Sequence, residues 1–397
     1  MTSSPVSGDP GGPAGPRWAT RGQGAALDAV ARMAVGPAPH AVLIVGPPSV
    51  GKTTLAGDLA AALLCTAPDP EDRPCRACRA CRLVVAGNHP DLHRLAPEGP
   101  GGQVVIGDSR EARAPRGVRD LLRELSLLPI EGGARVAIIE GAAQMNEDAQ
   151  NALLKTLEEP PAGVTIVLCV DREELLLPTV RSRCSRIRLG PTGPREIEAL
   201  LGELGLADAP TAGRLASLAG GRPGVAVAYA RAPEAVVIRD EIARTLLDQL
   251  GAGRARRLAA GRDLLARARD LSDALDGSLS ATPNGTAAGP PEEADGEAGP
   301  AKIAPAVRRR AARQLLTVWR EVARDLALVG LAGPRAIHDT TLLEELVAAS
   351  PRVAPGTVAA FLEKLDVITE GVAGNVGPEL AIDVAILAWP RAGAVAA

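Results

Sequence analysis

The feature that most constrains this chain is the segment Gly46-Pro47-Pro48-Ser49-Val50-Gly51-Lys52-Thr53. It has the form G-x-x-x-x-G-K-[ST], follows the apolar run Ala41-Val42-Leu43-Ile44-Val45, and leads directly into a helical run from Thr54 to Leu64. An unbroken apolar run closed by glycine and proline reads as a strand buried on both faces, which calls for a parallel sheet. The glycines let backbone N–H groups curl around phosphates, and the N-terminus of the helix adds a favourable dipole. Lys52 can then reach the terminal phosphates while Thr53 holds magnesium. With Thr54 opening the helix, residues 46 to 54 form the candidate nucleotide site, for ATP with Mg2+. The alternative is a glycine-rich turn that binds nothing; the strand before it and the helix after it favour the nucleotide.

Beyond this loop the pattern repeats. Apolar runs at Val136 to Ile139, Val164 to Cys169 and Ile187 to Leu189 alternate with helical segments at 116 to 128, 147 to 158 and 172 to 181, and a first helix is expected over 17 to 35. Strands alternating with helices make an α/β sheet covered by helices. From 192 onward the periodicity is helical throughout, at Arg195 to Leu204, Ala212 to Leu218, Ala235 to Leu250, Arg254 to Leu275 and 304 to 329. Residues 1 to 16 read as a disordered tail and 277 to 303 as a flexible insert, both rich in Gly, Pro, Ser or acidic residues and poor in anything to bury. The 397 residues are enough for two or three domains, and only five are aromatic, so the cores must be built from Ala, Leu, Val and Ile. A net charge of −3 gives no global pull toward nucleic acid, so any DNA contact has to be local or through partners. No apolar run is long enough to span a membrane and the N-terminus is unlike a signal peptide, which points to a cytoplasmic chain.

Four cysteines, Cys65, Cys75, Cys78 and Cys81, are spaced C-x9-C-x2-C-x2-C. Two C-x2-C steps put three thiolates on one tight turn, and Cys65 closes the set from the end of the phosphate-loop helix, as a structural zinc site requires. Arg73, Arg76, Arg79 and Arg82 lie around it in sequence and are expected to favour thiolates. A redox or disulfide role is the alternative, less suited to a cytosolic chain. His89 and His93 are close by, but four cysteines already complete the shell.

A phosphate-loop enzyme also needs an acidic residue at the end of a second buried strand. Glu140, closing Arg135-Val136-Ala137-Ile138-Ile139, is the candidate; it could equally do no more than end the strand.

Two further motifs, Asn151-Ala152-Leu153-Leu154-Lys155-Thr156-Leu157-Glu158-Glu159-Pro160-Pro161 and Arg181-Ser182-Arg183-Cys184, behind a phosphate loop and a cysteine cluster, closely resemble the AAA+ clamp-loader subunits of bacterial DNA polymerase III. The resemblance covers about residues 20 to 225. It implies an AAA+ P-loop domain over 17 to 190 with a zinc module at about 65 to 81, a helical lid over 191 to 232, and an all-α collar over 233 to 397 that carries the insert. By position, Arg183 becomes an arginine finger reaching the ATP of an adjacent subunit. In AAA+ proteins the residue after the strand-ending carboxylate is commonly the glutamate that activates water; here it is Gly141, and glycine cannot polarise water.

That departure, the Cys169-Val170-Asp171 segment and the Gly220-Gly221-Arg222-Pro223-Gly224 segment resemble the delta-prime branch of the family rather than its gamma/tau motors. The implied role is to help load the beta sliding clamp onto primed DNA during replication. Gamma/tau and delta subunits would be its partners in a hetero-pentamer, with no membrane involved. The chain would bind ATP and hydrolyse it weakly or not at all, within a nucleotidyltransferase holoenzyme, without polymerising itself. The intact phosphate loop leaves an active motor subunit as the second reading, and a zinc-bearing scaffold without nucleotide as the third.

Overall fold

The computed structural model describes residues 15–97, 103–107, 116–131, 133–280, 305–334, 337, 339–374 and 376–393. The chain divides into two compact units, 1–192 and 193–397. Nearly all of the expected N-terminal tail, and the expected insert beyond Ser280, lie outside the described residues.

In the first unit the elements run α1 (Gly24–Val35), β1 (Ala41–Val45), α2 (Lys52–Leu64), α3 (Arg79–Val85), β2 (Leu92–Leu95), α4 (Val118–Leu125), β3 (Arg135–Ile139), α5 (Glu147–Glu158), β4 (Val164–Val170), α6 (Pro178–Arg181) and β5 (Ser185–Arg188). The strands pair in parallel in the order β2-β3-β4-β1-β5. This is a five-stranded parallel α/β sheet covered by helices, as the alternating pattern required. Strand alternation sorts the side chains into two cores: Val42 and Ile44 join α1 and α2 on one face, while Ala41 and Leu43 join α4 and α5 on the other. Both cores are aliphatic, as the composition required.

Two expectations change and one strand was not expected. The first helix begins at Gly24 rather than at 17, because the backbone N–H groups of Ala19 and Thr20 are held by the buried Asp58 carboxylate at 3.0 and 2.8 Å. The expected helix over 172 to 181 is a short 3-10 turn, Glu173–Leu175, followed by α6; Pro178 cannot continue a helix from upstream and instead starts a new one. Strand β2 had no expectation behind it, since Leu-His-Arg-Leu carries two polar residues in four.

The second unit is all-helical among its described residues: α7 (Pro194–Glu203), α8 (Ala209–Ala219), α9 (Pro223–Arg231), α10 (Pro233–Asp248), α11 (Arg254–Ser280), α12 (Pro305–Ala332), α13 (Leu343–Ala349), α14 (Pro355–Ala373) and α15 (Pro378–Ala388). Proline at the first turn starts several of them, where its missing N–H would have no partner anyway. Helix α11 continues to Ser280, past the expected start of the insert at 277. One apolar cluster runs from Ile197 on α7 to Trp389, centred on Trp319, Phe361 and Trp389, whose ring centroids are 4.9 to 5.9 Å apart. Among the described residues no helix is long and apolar enough to cross a membrane.

Candidate nucleotide and metal sites

The phosphate loop leaves the carboxyl end of β1, where open parallel sheets collect their ligands. Its start is pinned between neighbours: the Gly46 N–H donates to Val170 O at 3.2 Å, and Leu189 N–H donates to Val45 O at 2.8 Å. A Cβ on Gly46 would stand 2.7 Å from the Leu189 carbonyl oxygen, so this position has to be glycine. Ser49 and Gly51 both take positive φ, 62° and 101°, on either side of Val50. Such alternation turns successive N–H groups to one side, as an anion nest does. Gly51 caps α2, and the first-turn N–H groups of a helix have no acceptor within the helix. Pro47, Pro48 and Ser49 are exposed, Thr53 is half-buried and Thr54 is exposed.

Lys52 is 10% exposed and lies back on the loop, donating to Gly46 O at 2.8 Å and Pro47 O at 2.6 Å and pairing with Asp171 Oδ1 at 2.6 Å. Asp171 follows β4 directly. Glu140 follows β3 at the same sheet edge, but its carboxylate faces Arg94 of β2, with Nη1 and Oε1 3.4 Å apart. Burial raises the Glu140 pKa above the ordinary carboxylate value, and Arg94 offsets part of that. Cys169 shows how closely these groups converge. Burial pushes its thiol up to about 12, Glu140 and Asp171 push the same way, and Lys52 and Arg94 oppose them.

Thus Lys52 and the loop backbone come together, while Glu140, at the same end of the sheet, is paired with Arg94. The residues that would hold a magnesium ion are Thr53 and Glu140, and the second of these already has a cationic partner. Arg94 was not legible as part of the site. The available signal was an arginine at a position of β2 whose neighbour two residues away, Leu92, is buried against α2. Gly141 takes φ +57°, and a Cβ there would meet the Gln144 amide nitrogen at 3.3 Å and Pro97 Cγ at 3.4 Å.

Arg183 lies elsewhere in this unit. It donates to Glu158 Oε1 at 2.7 Å and to Thr179 O at 2.8 Å, on the turn after α6, and its side chain is 35% exposed. None of its contacts is to the phosphate loop.

The four cysteines do come together. Their sulfur atoms all lie within 4.8 Å of one another, with Cys65 3.5 Å from Cys75 and 3.9 Å from Cys78. Thiolates about 2.3 Å from a tetrahedral zinc ion are separated by about 3.8 Å, so the set fits that metal. Backbone N–H groups of Ala67, Cys78 and Cys81 donate to Cys65, Cys75 and Cys78 at 3.4, 3.3 and 3.3 Å, orienting the sulfurs. Burial pushes the Cys78 thiol up, but the Cys81 N–H and hydrogen bonds from Thr66 outweigh it and bring the pKa down to about 6. Cys65 and Cys81 are raised, chiefly by burial.

The surrounding arginines do not act as expected. Arg73 donates to Ala67 O, Arg76 pairs with Asp58, Arg79 with Glu131, and Arg82 donates to Ala77 O, so N–H dipoles rather than guanidinium charges favour the thiolate. His89 and His93 are engaged by Glu131 and Glu124, not by the cysteines.

In the second unit Arg222, of the Gly220-Gly221-Arg222-Pro223-Gly224 segment, pairs with Glu321 of α12 and donates to Ala219 O at 2.9 Å. Glu321 also takes Arg239 at 3.2 Å, and Arg239 is fully buried and paired with Asp339 as well.

A family profile described as DNA polymerase III, delta subunit, matches residues 26–193. Among curated proteins, the chain is 40% identical over 162 residues to DNA polymerase III subunit delta' of Escherichia coli (strain K12), covering 41% of this chain and 46% of that protein. It is 37% identical over 145 residues to DNA polymerase III subunit delta' of Pseudomonas aeruginosa, covering 36% and 41%. The matched stretch therefore spans less than half of these relatives. Among solved structures, a DNA polymerase III gamma subunit-related protein of Thermotoga maritima aligns with 91% of this chain and 97% of its own, at 18% identity and a TM-score of 0.41.

Proposed function

We propose, from the match of residues 26–193 to the family profile described as DNA polymerase III, delta subunit, that this chain serves DNA replication as a delta-prime-type, non-motor subunit of a clamp loader. The single observation that carries the reading is that the matched stretch contains the phosphate loop, the four cysteines and the Ser182-Arg183-Cys184 motif together. In this reading the chain joins gamma/tau and delta subunits in a cytoplasmic hetero-pentamer that opens the beta sliding clamp and closes it on primed DNA. Residues 191 to 232 act as the lid and 233 to 397 as the collar.

ATP binds at residues 46 to 54, and Cys65, Cys75, Cys78 and Cys81 hold a structural zinc ion. The chain's own hydrolysis is weak or absent, because glycine occupies position 141 and nothing there can take a proton from water. Its catalytic contribution is made in trans: Arg183 presents a fixed positive charge and planar donors to the phosphates of a neighbour's ATP. The guanidinium has to leave Glu158 to do so. That pair is exposed, and pairs of this kind are worth under about 1 kcal/mol. The intact phosphate loop favours the second reading, an active motor subunit.

The test is reconstitution with gamma/tau and delta subunits, the clamp and primed DNA. Arg183→Ala is expected to assemble normally and to slow ATP hydrolysis by the complex at least about tenfold, finger arginines being worth about a thousandfold or more at a single site. Unchanged turnover by the complex, or turnover by the isolated chain that Lys52→Ala abolishes, would defeat the non-motor reading.

A further inference from the structure

Position 140 is where a phosphate-loop fold offers a carboxylate to the metal side of a bound nucleotide. Here that carboxylate is met by a guanidinium from the adjacent strand. In the register of β2 against β3, Arg94 stands opposite Ile138, two residues from Glu140. Leu92 packs into the core beneath α2 and Leu95 into the opposite core, so strand alternation puts Arg94 on the α2 face. Its Nη2 lies 3.7 Å from where a Cβ would stand on Gly57. Gly57 is four residues beyond Thr53 on α2, hence one turn along the same helix face. Arg94 and Glu140 thus meet on the α2 side of the sheet, with Arg94 reaching α2 one helical turn beyond Thr53.

Arg94 Nε is buried and has no hydrogen-bond acceptor among the described residues, so the guanidinium is incompletely satisfied by Glu140. Its charge is permanent, since a guanidinium does not lose its proton in a protein. A divalent cation brought to Glu140 would meet like charge at short range in a partly desolvated site.

Building on the nucleotide reading of the loop given above, we infer that this site takes the triphosphate without a divalent metal, with Arg94 standing in the place and supplying the charge of the magnesium ion. Lys52 and Arg94 then flank the phosphates from the loop and from β2. Binding is separated from hydrolysis at two points: no glutamate activates water, and no metal polarises the terminal phosphate.

The experiment is equilibrium dialysis of ATP against the full-length chain. One buffer is freed of magnesium by passage over resin, so that the cysteine site is not stripped by a chelator, and the other contains millimolar magnesium. The parent protein is expected to bind with Kd values that agree within about twofold. Arg94→Ala is expected to weaken metal-free binding by about tenfold, the scale of one charge-assisted hydrogen bond, and to recover affinity when magnesium is added. Arg94→Lys is expected to keep metal-free binding. Parent binding that falls tenfold or more without magnesium would overturn the inference and leave the nucleotide site standing, as would an Arg94→Ala protein unchanged in both buffers. No ATP bound in either buffer, or binding indifferent to Lys52→Ala, would instead remove the nucleotide reading and the inference with it.

Discussion

Gly141 is the residue on which the proposed non-motor reading chiefly rests, and its backbone is suited to glycine. The residue sits at φ +57°, with the Gln144 amide and Pro97 closing around it. A side chain in the left-handed region costs about 1–2 kcal/mol, before any crowding is counted. Gly141→Glu is therefore expected to lower thermal stability by that amount and to leave ATP turnover of the isolated chain at the parent level; a turnover gain of tenfold or more in a phosphate-release assay would contradict this. At this scale much was legible. The phosphate loop, Glu140 and the four cysteines could be named from spacing, because motif and flanking elements are contiguous in the chain. Arg94, Asp171 as the partner of Lys52, and Asp58 as the anchor of residues 19 and 20 are contacts between distant segments, and no local spacing encodes those.

Among the elements, α2 links the two candidate sites. It begins at Lys52 in the phosphate loop and ends against Cys65, and midway along it the buried Asp58 accepts from Ala19, Thr20 and Arg76. Arg76 lies in the cysteine turn, with φ +57°, and also donates through Nε to Arg17 O at 3.0 Å. The cysteine module therefore holds the segment before α1 in place through Arg76 and through the Pro74 carbonyl, which accepts from the Arg17 N–H at 2.9 Å. Protein purified without chelator is expected to carry one zinc ion per chain by elemental analysis. Its removal should free Arg76 and speed tryptic cleavage after Arg17 or Arg21 several-fold; an unchanged cleavage rate would show that the module is independent of that segment. Element types followed hydrophobic period wherever a run was long and pure, as in β1, β3, β4 and α5. The failures have physical causes: a buried acid captured the backbone ahead of α1, a proline divided the expected helix at 172 to 181, and an edge strand with a partly polar face, β2, carried too little pattern.

At the scale of the whole molecule, the chain is two units with different kinds of core. The first is built on a parallel sheet between two aliphatic layers. The second combines a helical apolar cluster with a buried charged network in which Glu321 serves both Arg222 and Arg239. Removing one partner of a buried ion pair leaves an uncompensated charge, a loss of about 3–5 kcal/mol. Glu321→Ala is expected to lower the unfolding free energy of the second unit by that amount in denaturant titration; a shift below about 1 kcal/mol would mean that Asp339 and Asp240 together satisfy Arg239. The helical character of this unit was readable from period, whereas the network was not, because its members lie far apart in sequence.

The aromatic residues of the second core give the molecule an optical division as well. Trp319 and Trp389 have centroids 5.9 Å apart there, while Trp18, the remaining tryptophan, belongs to the first unit and packs on its α1–α2 face. Each unit thus carries its own intrinsic fluorophore. The close pair in the second unit will exchange excitation energy. Replacing Trp18 with phenylalanine leaves emission that reports the helical unit alone, so that a single chain, unlabelled, can reveal whether its two parts melt together or in sequence.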